Sequence, residues 1–110
     1  MSPNRLDVMV IYEVRATVVP ELCLSYERYM GDEHIPDLLK TGCFVDVTFE
    51  NCGQGEYQVR YGAATAGDLE IYLRDHAPSL RSHFASRFPD GVTVSRNEWR
   101  VLKRFSSHGE

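Results

Sequence analysis

Residues 7–18, DVMVIYEVRATV, alternate in character with period two. Val8, Val10, Tyr12, Val14, Ala16 and Val18 fall on one side, and Met9, Ile11, Glu13, Arg15 and Thr17 on the other. Successive side chains of a β-strand point to opposite faces, so this stretch predicts a strand with one apolar and one mixed face. The next segment reads as a helix. Pro20 suits its first turn, where a missing N–H costs nothing, and Leu22, Tyr26, Tyr29 and Met30 recur at helical spacing as a buried stripe. Gly31 weakens that helix and Pro36 disfavours helical geometry at Ile35, which predicts a break over 31–35. A short helical turn through PDLLK then ends at Gly42, a natural place for positive φ.

CFVDVTFEN (43–51) predicts a second strand, with Val45, Val47 and Phe49 opposite Asp46, Thr48 and Glu50. CGQG supplies a turn, and EYQVRYGAA returns as a third strand with Tyr57, Val59 and Tyr61 on one face. Thr65 and Asp68 resemble a capping box with Asp in the usual Glu position. The next helix carries Leu69, Tyr72, Leu73, His76, Leu80, Phe84 and Phe88 on one side, and Pro78 kinks it near His76. PDG turns the chain into a last strand, VTVSRNEWRVLKRF (92–105), and SSHGE (106–110) reads as a loose tail. The order β-α-β-β-α-β predicts an α+β, ferredoxin-like domain over 1–105, with both helical segments on one face of a four-stranded antiparallel sheet. The opposite face places Met9 and Ile11 beside Glu13 and Arg15, an uncovered surface that predicts a homodimer paired sheet against sheet.

Charge and composition exclude several classes. The net charge is −4 and no run of lysines or arginines occurs, which argues against nucleic acid, whose binding depends on cationic neutralisation of phosphates. The longest apolar run, Val8–Tyr12, is far too short to cross a bilayer, and MSPNRLD lacks the apolar core of a secretion signal. Three cysteines, Cys23, Cys43 and Cys52, cannot all pair internally, so reduced thiols in a cytoplasmic protein are expected. There is no GxGxxG, P-loop or GxSxG, and the histidines lack metal-ligand spacing. Neither a metal nor an organic cofactor is expected.

YMGDEHIPDLLKTGCF (29–44), together with YLRDHAPSLRSHFASRF (72–88), resembles a bacterial family described as a domain of unknown function within the dimeric α/β-barrel superfamily. More distantly, YERYMGDEHIP (26–36) is similar to the tyrosine-rich helix of EthD-like proteins and of antibiotic-biosynthesis monooxygenases. The resemblance implies a dimeric α/β barrel with a pocket between the helices and the concave sheet of each subunit. It also implies kinship with oxygenases, isomerases and polyketide cyclases that work without metal or organic cofactor.

Four residues are candidates for chemistry. His34, beside Glu33, can carry a proton near neutral pH if the helix break opens on a pocket; otherwise its ring packs the break. His76 sits at the second kink and is either a second titratable wall of the same cavity or a boundary residue. Tyr12 and Tyr61, on neighbouring strands, can donate hydrogen bonds to a developing oxyanion or fill space in the core. Glu13, Arg15, Asp46, Glu50 and Arg60 read as ion pairs that fix register and partner choice. His83 follows His76 by seven residues without a shared register, His108 belongs to the tail, and Cys43 is a candidate exposed thiol. The leading expectation is a homodimer binding a small, partly apolar metabolite, with cofactor-independent isomerisation or cyclisation as its activity. A non-catalytic carrier or interaction module is the alternative, and a haem- or flavin-linked monooxygenase a weaker one.

Overall fold

A computed structural model describes residues 9–107, so the N-terminal expectations at 1–8, the end of the tail and His108 lie outside the described residues. Strand β1 (Val10–Val18) runs antiparallel between β3 (Glu56–Ala63) and β4 (Val92–Arg100), and β2 (Asp46–Asn51) flanks β3. The sheet order is therefore β2-β3-β1-β4, the ferredoxin-like arrangement that the element order predicts. One helical layer is α1 (Cys23–Tyr29) and α2 (Ile35–Lys40); the other is α3 (Ala66–Asp75) and α4 (Ala77–Arg87). Both bury their apolar sides on the face of β1 that carries Tyr12 and Ala16.

The core is aromatic. Tyr26, Tyr29 and Tyr61 are each about 1% exposed, and Leu38 and Val59 are sealed beside them. Burying one such side chain contributes roughly 1.5–3 kcal/mol, and tilted ring pairs add about 0.5–1.5 kcal/mol each. Tyr26 meets Tyr57 at 5.0 Å between ring centres, and Phe44 meets Tyr72 at 4.9 Å. α3 starts where the sequence says it should, with Thr65 Oγ1 accepting from the Asp68 N–H at 3.0 Å.

The expected break at 31–35 is absent. Met30–His34 instead form a π-helical turn between α1 and α2, and Ile35 keeps helical angles while its N–H donates to Met30 O, five residues back. The wider turn accommodates Pro36, which has no N–H to give, without stopping the helix. At Pro78 the interruption is a full boundary: α3 ends, His76 lies outside helical geometry at φ −120°, and Pro78 occupies the first turn of α4. β2 begins at Asp46 rather than Cys43, leaving Val45 63% exposed. Thr41 Oγ1 accepts from the Cys43 N–H and holds that residue in the connection after Gly42, with its thiol buried rather than exposed. β4 ends at Arg100, short of Phe105, because β1 offers no partner beyond Val10 apart from Met9 O, which accepts from the Val101 N–H.

On the opposite face of the sheet Glu13 is buried. Its Oε1 is 3.1 Å from Arg60 Nη1 on β3, its cross-strand neighbour, and its Oε2 is 3.1 Å from Arg15 Nε. Of the five expected ion-pair residues Glu13, Arg15 and Arg60 pair; among the described residues Asp46 and Glu50 form no ion pair, and Glu50 instead accepts from Gln58 Nε2 across β2 and β3.

The β2–β3 turn closes against the end of β1. Gly55 has φ +73°, its carbonyl accepts from the Val18 N–H at 2.8 Å, and a Cβ there would stand 2.4 Å from Val18 O. Both the left-handed angle and the close approach require glycine. Gly55→Ala is expected to destabilise the fold by about 1–3 kcal/mol in urea unfolding, whereas Gly53→Ala, with open space around the Cβ, costs only the left-handed angle and hence less.

Candidate functional site

Where α1, the π turn and α4 cross the sheet, their side chains leave a cavity of about 50 Å³. Tyr12 on β1 and Tyr61 on β3 form its floor. They are register partners, with ring centres 5.9 Å apart. Tyr72 on α3 and Tyr26 on α1 form the walls, and His34 enters from the π turn. A space of this size accepts on the order of three waters, provided polar groups are there to hold them.

Such groups are present. Among the described residues, the hydroxyls of Tyr26, Tyr61 and Tyr72 have no hydrogen-bond partner in the protein, although the other three tyrosines do: Arg81 Nη2 donates to Tyr12 Oη at 2.8 Å, Tyr29 Oη shares a hydrogen bond with His83 Nδ1 at 2.8 Å, and Tyr57 Oη donates to Glu27. His34 Nδ1 is buried and equally unpartnered. Burial raises the ionisation of the Tyr26, Tyr61 and Tyr72 phenols well above its ordinary range, so they remain protonated donors at any physiological pH. Burial acts oppositely on His34, lowering its pKa from 6.5 to about 4; Asp37 partly counters this, while His83 and Arg96 reinforce it. The imidazole is therefore neutral at pH 7, held between Tyr29 and Phe84 at 5.7 and 5.6 Å between ring centres.

Arg81 of α4 and Arg96 of β4 stand where the cavity adjoins a second space. These two residues and Tyr12 also line an outer groove of about 520 Å³ that continues to Leu73, Asn97 and Glu98. Cavity and groove together fall in the usual range for small-ligand sites. Of the four residues expected from sequence, Tyr12, Tyr61 and His34 come together here. His76 does not: it is half-buried at the α3–α4 junction, stacked on Tyr72, and is not among the lining residues. Arg81 and Arg96 are not among the expected four, although each leaves a trace in the sequence. Arg96 occupies a position of β4 in the inward register of Val92 and Val94, and Arg81 follows Ala77 by four residues and precedes Phe84 by three. Among the described residues no group of His, Cys, Asp and Glu could hold a metal ion. None of their helices is long and apolar enough to cross a membrane.

A family model described as a domain of unknown function (DUF4286) matches residues 9–102, and the chain belongs to that family. Among curated proteins, none matches in sequence. The fold is similar to that of SnoaB, a cofactor-independent oxygenase from Streptomyces nogalater (15% identity, TM-score 0.67, covering 94% of this chain and 99% of that one). It is similar also to the heme-degrader MhuD from Mycobacterium tuberculosis, solved with two hemes in its active site (16% identity, TM-score 0.63, 88% and 99% covered). A third similar structure is an ethyl tert-butyl ether degradation (EthD) family protein from Bacillus halodurans (10%, 0.61, 80% and 96%). The likeness at these identities is one of fold, and it bears out the α+β, ferredoxin-like architecture read from the sequence.

The depressed pKa of His34 ties stability to pH. Because the unfolded imidazole binds its proton near 6.5 and the folded one only near 4, the unfolded state gains protons as pH falls through that interval, and the fold loses roughly 3 kcal/mol across it. Urea unfolding at pH 7, 5.5 and 4.5 is expected to show this loss in the wild type. His34→Gln should flatten it; an unchanged slope in the variant would place the titrating group elsewhere.

Proposed function

We propose that this DUF4286 protein binds a small, partly apolar metabolite across the cavity and groove, and moves a proton within it without a cofactor. One observation carries the proposal: a buried imidazole nitrogen with no partner stands at the same small cavity as three phenol hydroxyls with none. An unpaired buried polar atom such as His34 Nδ1 is rare in folded proteins because it costs about 1–3 kcal/mol, and its place beside phenols that have no protein partner supports a ligand that completes them.

The chemistry that fits is an isomerisation or cyclisation of a carbonyl compound. His34 takes a proton from the carbon beside the carbonyl and returns it to another atom of the same molecule, so no electrons leave the ligand. Protonating His34 alone in so dry a place is unfavourable, as its low pKa states. The cost is offset when the enolate charge appears at the same moment beside it, stabilised by a tyrosine donor. The cation and anion then form as a pair and the cavity gains no net charge.

Deuterium incorporation at the methylene of an aryl ketone such as phenylacetone, followed by proton NMR in D2O, measures this step directly. The wild type is expected to accelerate exchange, and His34→Ala to lose about 10²-fold of that acceleration. Exchange that survives intact in His34→Ala removes His34 from the role. Acceleration absent from both proteins, with ligand still perturbing the His34 resonances, makes the protein a carrier.

Self-association belongs to the same proposal. Ile11 and half-exposed Trp99 are register partners on the outer sheet face, beside a Glu13 carboxylate whose Oε2 lies within ion-pair range of Arg15 but has no hydrogen bond. A second copy laid on this face would cover all three. Light scattering is expected to give twice the 12.6 kDa chain mass, and Ile11→Glu to halve it; a wild-type monomer at micromolar concentration would overturn the pairing.

A further inference from the structure

The mouth of the cavity differs in kind from its interior. Arg81 and Arg96 stand on different elements, α4 and β4, yet both line the inner cavity and the outer groove. Four other arginines hold a carboxylate: Arg15 and Arg60 share Glu13, Arg74 is paired with Asp75, and Arg87 with Glu33; among the described residues Arg28, Arg100 and Arg104 hold none either, but they do not line the cavity. Among the described residues neither Arg81 nor Arg96 has a carboxylate within 4 Å. One Arg81 nitrogen is engaged by the neutral hydroxyl of Tyr12, and the remaining donors of both guanidinium groups have no acceptor among the described residues. Glu98 shares the groove without reaching either of them, and His83 and Asp37, the other titratable groups near His34, are occupied by Tyr29 and by Lys40.

A chain of net charge −4 has carboxylates to spare, so leaving two guanidinium groups unpaired at one opening is a local excess of positive charge on an acidic molecule. A planar fork of N–H donors matches a carboxylate better than any neutral group. We infer that the ligand is a small organic acid whose carboxylate sits between Arg81 and Arg96 at the mouth, with its carbonyl-bearing end directed toward Tyr12 and His34. The inference rests on the ligand site proposed above and narrows it to a substrate class. It also gives the guanidinium groups a definite task. They hold the acid at the wet end of the site, so that the reacting carbon lies in the dry end, where the neutral imidazole is.

Matched acid and amide probes separate charge from shape: benzoate against benzamide, and phenylpyruvate against phenylpyruvamide, each titrated into the isotope-labelled protein by NMR. The acids are expected to bind at least about tenfold more tightly than the amides, and to shift the side-chain resonances of both Arg96 and His34. Arg96→Gln, an exposed substitution that breaks no hydrogen bond among the described residues, should lower acid affinity about tenfold and leave amide affinity unchanged. Arg81→Lys, which keeps the charge but loses the planar fork, should fall between. Acids and amides binding alike at His34 would overturn the carboxylate inference while leaving the ligand site intact. Acids binding more tightly, but with neither an Arg96 effect nor a His34 shift, would overturn the inference by placing the anion elsewhere. No binding of any probe together with an unperturbed His34 would overturn both the inference and the site.

Discussion

Six tyrosines in a core this small impose one requirement on the whole structure: six hydroxyls must be reconciled with an apolar interior. All six side chains are buried. Three reach a partner at the edge of the core, on Arg81, His83 and Glu27. The other three have no protein partner among the described residues, and all of them stand around one cavity. Aliphatic side chains of the same size would close such a space without penalty. Phenols leave it polar, and a polar cavity is one that holds water or a ligand rather than a vacuum. The site thus follows from the choice of residue that fills the core.

His34 reaches that space through the π turn. An α-helix running straight from Cys23 to Lys40 would advance each residue by 100°, and the extra residue in the turn resets the phase between α1 and α2. Tyr26, Tyr29 and Met30 can then be buried by the first segment and Leu38 by the second, with His34 between them on the cavity side. The pair Gly31 and Pro36 marks this place in the sequence but reads there as a break. The difference is physical. Proline forbids a hydrogen bond, and a chain can answer either by ending the helix or by widening it by one residue; which answer is taken depends on how the segments on either side pack.

The same distinction runs through the rest of the molecule. Strand alternation, the Thr65 cap, the β2–β3 hairpin and the pairing of Tyr12 with Tyr61 rest on local periodicity and are legible from residues alone. The start of β2 at Asp46 and the end of β4 at Arg100 are not, because a strand extends only as far as its neighbour does, and neighbours are set by the fold. Arg81 and Arg96 escape a reading of the residues for a related reason. A charged residue in an apolar register looks like an exception to be discounted, and only the juxtaposition of α4 and β4 turns two exceptions into one feature. His76 misleads in the opposite sense. Its spacing puts it on the buried stripe, but it falls at the helix boundary before Ala77, outside helical geometry, and stacks on Tyr72 without lining the cavity.

Donors and acceptors are unequally distributed over the two faces of β1, and that inequality bears on what each face can do. On the outer face the one buried carboxylate, Glu13, stands between two arginines that answer it, and Glu50 and Glu56 accept from Gln58 and Thr17, so the remaining demand of that surface is for apolar cover. On the inner face the free groups carry a surplus of donors: two guanidinium groups without a carboxylate, beside three phenols that burial keeps protonated. Against them stand the neutral ring of His34, the phenol oxygens themselves and, in the groove, the Glu98 carboxylate. Water can fill such a site, but each water brings as many donors as acceptors and leaves the surplus in place. A molecule rich in oxygen acceptors and carrying one acidic hydrogen corrects it, with the acceptors meeting the phenols and arginines and the hydrogen meeting the imidazole. A carbonyl acid has that composition, whereas an amine or an aliphatic alcohol does not.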